Sequence, residues 1–146
     1  MKISITDFVL FPLLSQIAEK DPNIEAFFKE KNLKDSLTKA HVTLAHKRSH
    51  GVTAVANYGS FLNERVPVDI TALLFSGKLA ALEAHTGSVN GEKITSKNQW
   101  PHVTLWTGEG VAAKDANALP QLVTEGKATR VGIDPPITIT GVLQFY

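Results

Sequence analysis

His41-Val42-Thr43-Leu44 and His102-Val103-Thr104-Leu105 are the same four residues, written twice in one chain. Each copy sits in an apolar, β-branched run that predicts a strand, over residues 38–46 and 100–106. Alternate side chains of a strand share a face, so His41 and Thr43 point one way while Val42 and Leu44 point the other. The second copy repeats this, with His102 and Thr104 over Val103 and Leu105. Two such strands facing each other across a cleft make a site with two imidazoles and two hydroxyls.

The rest of the chain fits around these strands. Residues 2–6 alternate and predict a short strand. Asp7 opens a helix to about residue 20, and Asp21-Pro22 opens a second through Phe27-Phe28 towards Leu33. Ser49-His50-Gly51 leads from the first motif into a helix over 52–62. Strands over 66–75 and 78–86 follow, joined at Ser76-Gly77. Residues 88–99 are polar and read as a loop around Asn90-Gly91. After the second motif, residues 112–126 predict a helix, and Pro135-Pro136 leads into a last strand over 137–146. A motif strand followed by a helix therefore occurs twice. The expected fold is one α+β domain over 1–146, with two related lobes, antiparallel sheets around a central cleft and helices outside.

Composition narrows the chemistry. The chain has 146 residues, 43% of them hydrophobic and 20% charged, enough for one well-cored globular domain. It has no cysteine, which excludes disulfides, thiolate nucleophiles and Cys-based metal sites, and fits an intracellular home, nuclear or cytoplasmic. The apolar run Phe8-Val9-Leu10-Phe11-Pro12-Leu13-Leu14 is too short to span a membrane and reads as the start of a core helix. Net charge is only +1, yet Lys39, Lys47, Arg48 and three histidines fall between residues 39 and 50 with no acidic residue among them. Such a patch beside the first motif would attract a phosphate, although a solvated basic loop explains Lys47 and Arg48 equally well. Ser76-Gly77-Lys78-Leu79 lacks the upstream glycine and the hydroxyl of a nucleoside-triphosphate loop.

Imidazole titrates near neutrality, so one histidine can be neutral while its partner is charged. The neutral ring takes a proton from water and the charged one protonates a leaving oxygen. Displacement at phosphorus is roughly in line, which suits an acid and a base on opposite sides of the phosphate. Hydroxyls of Thr43 and Thr104 would steady the non-bridging oxygens. The scheme needs no metal or other cofactor, and no carboxylates stand at ligand spacing from the histidines. Trp100, His102, Thr104 and Trp106 share strand parity, so Trp106 is a candidate for stacking a base, as are His46 and Tyr58 downstream of the first motif. The bland alternative is that both motif histidines are ordinary half-buried strand residues, with threonines beside them for their β-propensity.

Paired His-x-Thr strands in a two-lobed α+β domain resemble the 2H phosphoesterase superfamily. More narrowly, His41-Val42-Thr43-Leu44-Ala45-His46-Lys47-Arg48-Ser49-His50-Gly51, then Val55-Ala56-Asn57-Tyr58-Gly59 and the ending Thr140-Gly141-Val142-Leu143-Gln144-Phe145-Tyr146, resemble the cyclic phosphodiesterase domain of plant-type tRNA ligases. The resemblance covers roughly Leu33 to Tyr146. It implies hydrolysis of RNA 2′,3′-cyclic phosphate ends to a 2′-phosphate and a free 3′-hydroxyl, as in tRNA splicing or RNA repair. His41, Thr43, His102 and Thr104 are the matched positions. By the same resemblance His102 is the base and His41 the acid, and the partners are RNA ends, with ligase and kinase modules in cis or in trans. Two other readings stay open: a small cyclic nucleotide such as ADP-ribose 1″,2″-cyclic phosphate, and an RNA-end binding module without catalysis.

Overall fold

A computed structural model describes residues 1–31, 40–45, 50–89, 91–97 and 100–144. Two helices lead the chain after a first short strand. β1 is Lys2–Ser4, α1 is Asp7–Lys20 and α2 is Pro22–Lys31. Leu10, Leu13, Leu14 and Ile17 are buried at the three- and four-residue spacing of one helix stripe, which seats α1 on the core. α2 starts where the sequence says it should. The Asp21 carboxylate accepts the Asn23 backbone N–H at 2.9 Å, and Pro22 takes the first turn, where an N–H would be spare.

The strands are β2 (His41–Thr43), β3 (Arg65–Ser76), β4 (Leu79–Thr86), β5 (Ser88–Val89), β6 (Glu92–Lys93), β7 (His102–Thr107) and β8 (Thr129–Gln144). Six of them close into a single barrel in the order β1-β2-β7-β4-β3-β8, antiparallel at every pairing. The strands expected in two related lobes thus share one closed barrel. β2 and β7 are direct neighbours, Val42 opposite Val103, so the motif strands lie side by side in one sheet. β1 closes the ring because it is bonded to both β2 and β8. Its close approach to β8 depends on Gly141, where an added Cβ would meet Ile3 Cγ2 at 2.3 Å and the Ser4 carbonyl at 2.8 Å.

Inward side chains of the barrel, among them Ile3, Val42, Val68, Ile70, Leu73, Leu82, Val103, Leu105 and Leu143, form the main core with α1. A second cluster lies outside the barrel wall, where Ala72, Leu74, Leu79 and Ala81 pack beneath a 3-10 turn at Ala113–Ala118 and the short helix Leu119–Thr124. β3 is buried on both sides along Ala72–Leu74 for this reason.

Several boundaries differ from expectation. β8 begins at Thr129, well before the proline pair, and its ladder with β3 jumps from Ile137 to Gly132. Pro135 and Pro136 have no N–H to donate, so they interrupt this strand without starting it. The helix expected over 52–62 is a helix at Val52–Ala56 and a 3-10 turn at Gly59–Phe61. The region read as a loop contains the β5–β6 hairpin, with Gly91 at φ +83° in its turn.

Candidate active site

β2 and β7 build the site by register alone. With Val42 opposite Val103 in an antiparallel pair, His41 falls across from Thr104, and Thr43 across from His102. Each imidazole therefore stands opposite the other strand's hydroxyl, with the two histidines on one diagonal and the two threonines on the other. Such diagonal neighbours are about 7–8 Å apart at the backbone, a span that one phosphate fills. Val42, Val103 and Leu105 face the core beneath, fully buried. Burying them fixes the register, since a slip of one residue would turn both histidines into the barrel.

The two copies of the motif are held differently. His102 is buried, and its Nδ1 lies 2.8 Å from the Trp100 carbonyl oxygen. A carbonyl only accepts, so Nδ1 carries the hydrogen and the neutral ring keeps its lone pair on Nε2. The Trp100 indole stacks on the imidazole, ring centres 4.7 Å apart and planes 14° from parallel. Burial pushes the His102 pKa down from 6.5; the bond to the Trp100 carbonyl opposes this, and the nearby His41 charge adds to the lowering. At neutral pH His102 is held in its neutral, proton-accepting form.

His41 and Thr43 are half-buried on a three-residue strand. Their backbone is held from below by a segment crossing the end of the strand. Ser96 Oγ donates to the Thr43 carbonyl at 2.7 Å, and the Lys97 N–H donates to the Leu44 carbonyl at 2.6 Å. The Tyr58 hydroxyl donates to the Thr95 carbonyl and pins the same segment.

Tyr58 is buried in the main core, and burial raises its pKa. Its ring is taken up by packing and presents no face to a base. Trp106 also departs from expectation. Ala81 pairs with Thr104 but Ala80 pairs with Trp106, so Leu105 is an extra residue in β7. That bulge reverses the alternation. Trp106 turns away from the histidine face and sets its ring edge-on to Phe27, 5.9 Å between centres and 87° between planes. The third group of expected substrate contacts, His46, Lys47 and Arg48, lies outside the described residues.

The structure adds residues that the motif did not indicate. Lys2 pairs with Thr43 and Ser4 with His41, so β1 extends the site's face with an amine and a hydroxyl. Glu83 pairs with His102 from the other side. Among the described residues, no three His, Asp or Glu side chains gather to hold a metal ion, and no helix is long and apolar enough to cross a membrane.

The fold is similar to that of a protein of known structure. A fungal RNA kinase crystal structure superposes with a TM-score of 0.66 at 14% identity, over 99% of this chain and 45% of that one. The sequence places it more narrowly. The chain is homologous to tRNA ligase 1 of Arabidopsis thaliana, 56% identical over 136 residues. Those residues are 92% of this chain but 12% of the ligase, so the likeness is to one segment of a much longer protein. No family model matches the sequence.

Proposed function

We propose that the chain is a metal-independent cyclic phosphodiesterase of the 2H type that opens RNA 2′,3′-cyclic phosphate ends to a 2′-phosphate and a 3′-hydroxyl. The observation that carries this reading is the pairing of Val42 with Val103, which sets two imidazoles and two threonine hydroxyls on crossed diagonals of one sheet face. His102, neutral and with its Nε2 lone pair free of the Trp100 carbonyl, takes a proton from water. The oxygen of that water bonds to phosphorus, the bond from phosphorus to O3′ breaks, and His41 gives its proton to O3′. Thr43 and Thr104 donate to the non-bridging oxygens as charge develops. Likeness to a tRNA ligase and to an RNA kinase supports an RNA end as the substrate. Ligase and kinase modules, in cis or in trans, would then use the product, in the nucleus or cytoplasm.

A short oligonucleotide ending in a 2′,3′-cyclic phosphate, incubated with excess chelator, tests this. The expected product carries a 2′-phosphate. An unchanged end overturns the proposal, and a 3′-phosphate overturns the choice of leaving group. A second reading is favoured by one feature: a net charge of +1 is small for a protein that tracks a long RNA. A small cyclic nucleotide would then be the substrate, and turnover of adenosine 2′,3′-cyclic phosphate at least as fast as the oligonucleotide would support it.

A further inference from the structure

The inner side of His102 is built by a residue that makes no direct hydrogen bond to it. Glu83 is half-buried in β4, and its carboxylate accepts three hydrogen bonds from three segments of the chain. The Thr71 hydroxyl donates at 2.8 Å, the Trp100 indole N–H at 3.2 Å and the Arg130 guanidinium at 3.1 Å. Thr71 is the extra residue of a bulge in β3, between the pairs Ile70–Ala84 and Ala72–Glu83. The indole that Glu83 grips is the one stacked on His102, and the carbonyl of the same tryptophan takes the His102 Nδ1–H. His102 is thus touched twice by Trp100, and Trp100 is tied to Glu83.

We infer that Glu83 is a positioning residue: through Trp100 it holds the His102 ring so that Nε2 faces the substrate and Nδ1 keeps the hydrogen. A catalytic imidazole needs its inner N–H fixed, because the partner of one nitrogen sets what the other can do. Here a carbonyl supplies that partner and a carboxylate fixes the residue bearing the carbonyl. The carboxyl itself stays ionised. Burial alone would raise its pKa, but the bonds from Thr71, Trp100 and Arg130, with the Arg130 charge, outweigh burial and hold it below the usual range. Among the described residues, the charged and titratable groups that strand register and the contacts of Glu83 bring towards His102 are His41 from β2, Glu83 and His85 from β4, Arg130 from β8 and, one strand further, Lys2 from β1. His85 Nε2 lies 3.9 Å from Glu83 Oε1 and is largely exposed.

The inference rests on His102 being the base of the proposed hydrolysis, so its test uses a readout taken without substrate. Glu83→Gln and Trp100→Phe would be made singly and together, with nitrogen NMR of the His102 ring and steady-state kinetics on a cyclic phosphate. In the parent the neutral ring should show its hydrogen on Nδ1 alone. Each variant should admit the other tautomer and lower kcat on the order of 10-fold or more, the scale of a misplaced catalytic group, with KM within about 2-fold. The double variant should be no slower than the slower single one, because both changes cut the same link. An unchanged tautomer with unchanged kcat, or losses that multiply, would overturn the inference. Trp100→Phe removes the indole N–H with part of the ring system, while keeping an aromatic ring beside His102 and the backbone carbonyl, so it decides the matter if Glu83→Gln does not fold. Absence of turnover in the parent would sink the hydrolase reading while leaving the tautomer result to judge Glu83.

Discussion

The two copies of His-Val-Thr-Leu are chemically identical and structurally unequal. The first lies on a three-residue strand, with its backbone tied down by Ser96 and Lys97 and its side chains half-buried. The second lies on a six-residue strand, with its histidine buried, stacked on Trp100 and bonded through Nδ1. A repeated motif would make a symmetric pair if the motif alone set the chemistry. Surroundings break that symmetry. The buried copy is biased towards the neutral form, and in the proposed hydrolysis that makes it the base and the more open copy the acid.

The largest effect that could break this comparison is loss of either imidazole. His41→Ala and His102→Ala should each lower turnover by about 10² or more, the usual scale for lost acid–base catalysis. Near-normal turnover in one of them would mean that the pair does not act as a pair. Thr43→Ala and Thr104→Ala should cost less, about 10- to 100-fold, since each removes one hydrogen bond to the transition state. In each variant kcat should be the affected parameter, with KM changing little.

Acidity sharpens the contrast further. In the proposed hydrolysis His102 must be neutral, and burial holds its pKa below the ordinary value of 6.5. Activity should therefore fall on the acid side only as pH drops past that ordinary value, and fall again at high pH as the acid loses its proton. A flat profile between about pH 5 and 9 would contradict paired histidines. The same shift should be visible in stability. Below about pH 6.5 the unfolded chain binds a proton at position 102 before the native one does, so the native state loses stability as pH falls through that window. The drop in Tm between about pH 7 and 5.5 should be smaller in His102→Gln than in the parent. Glu83 loses its contribution only when pH falls through its own lowered pKa, beneath the carboxylate range, so the two effects separate.

The smallest effect concerns the frame that keeps the strands adjacent. Gly141→Ala would press a methyl group onto Ile3 and the Ser4 carbonyl. It should destabilise the fold by about 1–3 kcal/mol, as overpacking does, measured by denaturant unfolding. A loss of activity larger than the loss of folded protein would show that β1 also positions the face through Lys2 and Ser4.

Strand alternation is enough to put each His-x-Thr pair on one face of its strand, because the valines and leucines between and after them are fully buried. It failed at Trp106 because an alternating pattern assumes an unbroken ladder. The bulge at Leu105 leaves two apolar residues in a row, which sequence reads no differently from ordinary strand. Pairings between distant segments were equally hidden. Nothing in sequence places Lys2 against Thr43, or Glu83 beside His102, since both follow from which strands become neighbours. The helix stripe of α1 was legible for the opposite reason, its spacing being local. The β5–β6 hairpin around Gly91 reads as loop in sequence, because its strands are only two residues long and largely polar.

The division of labour between the two histidines can be tested with a cyclic phosphate whose 3′-bridging oxygen is replaced by sulfur. A thiolate leaves without needing a proton, so the acid becomes dispensable while the base does not. His41→Ala should approach the parent rate on this substrate, and His102→Ala should stay slow. Rescue of His102→Ala in place of His41→Ala would contradict it.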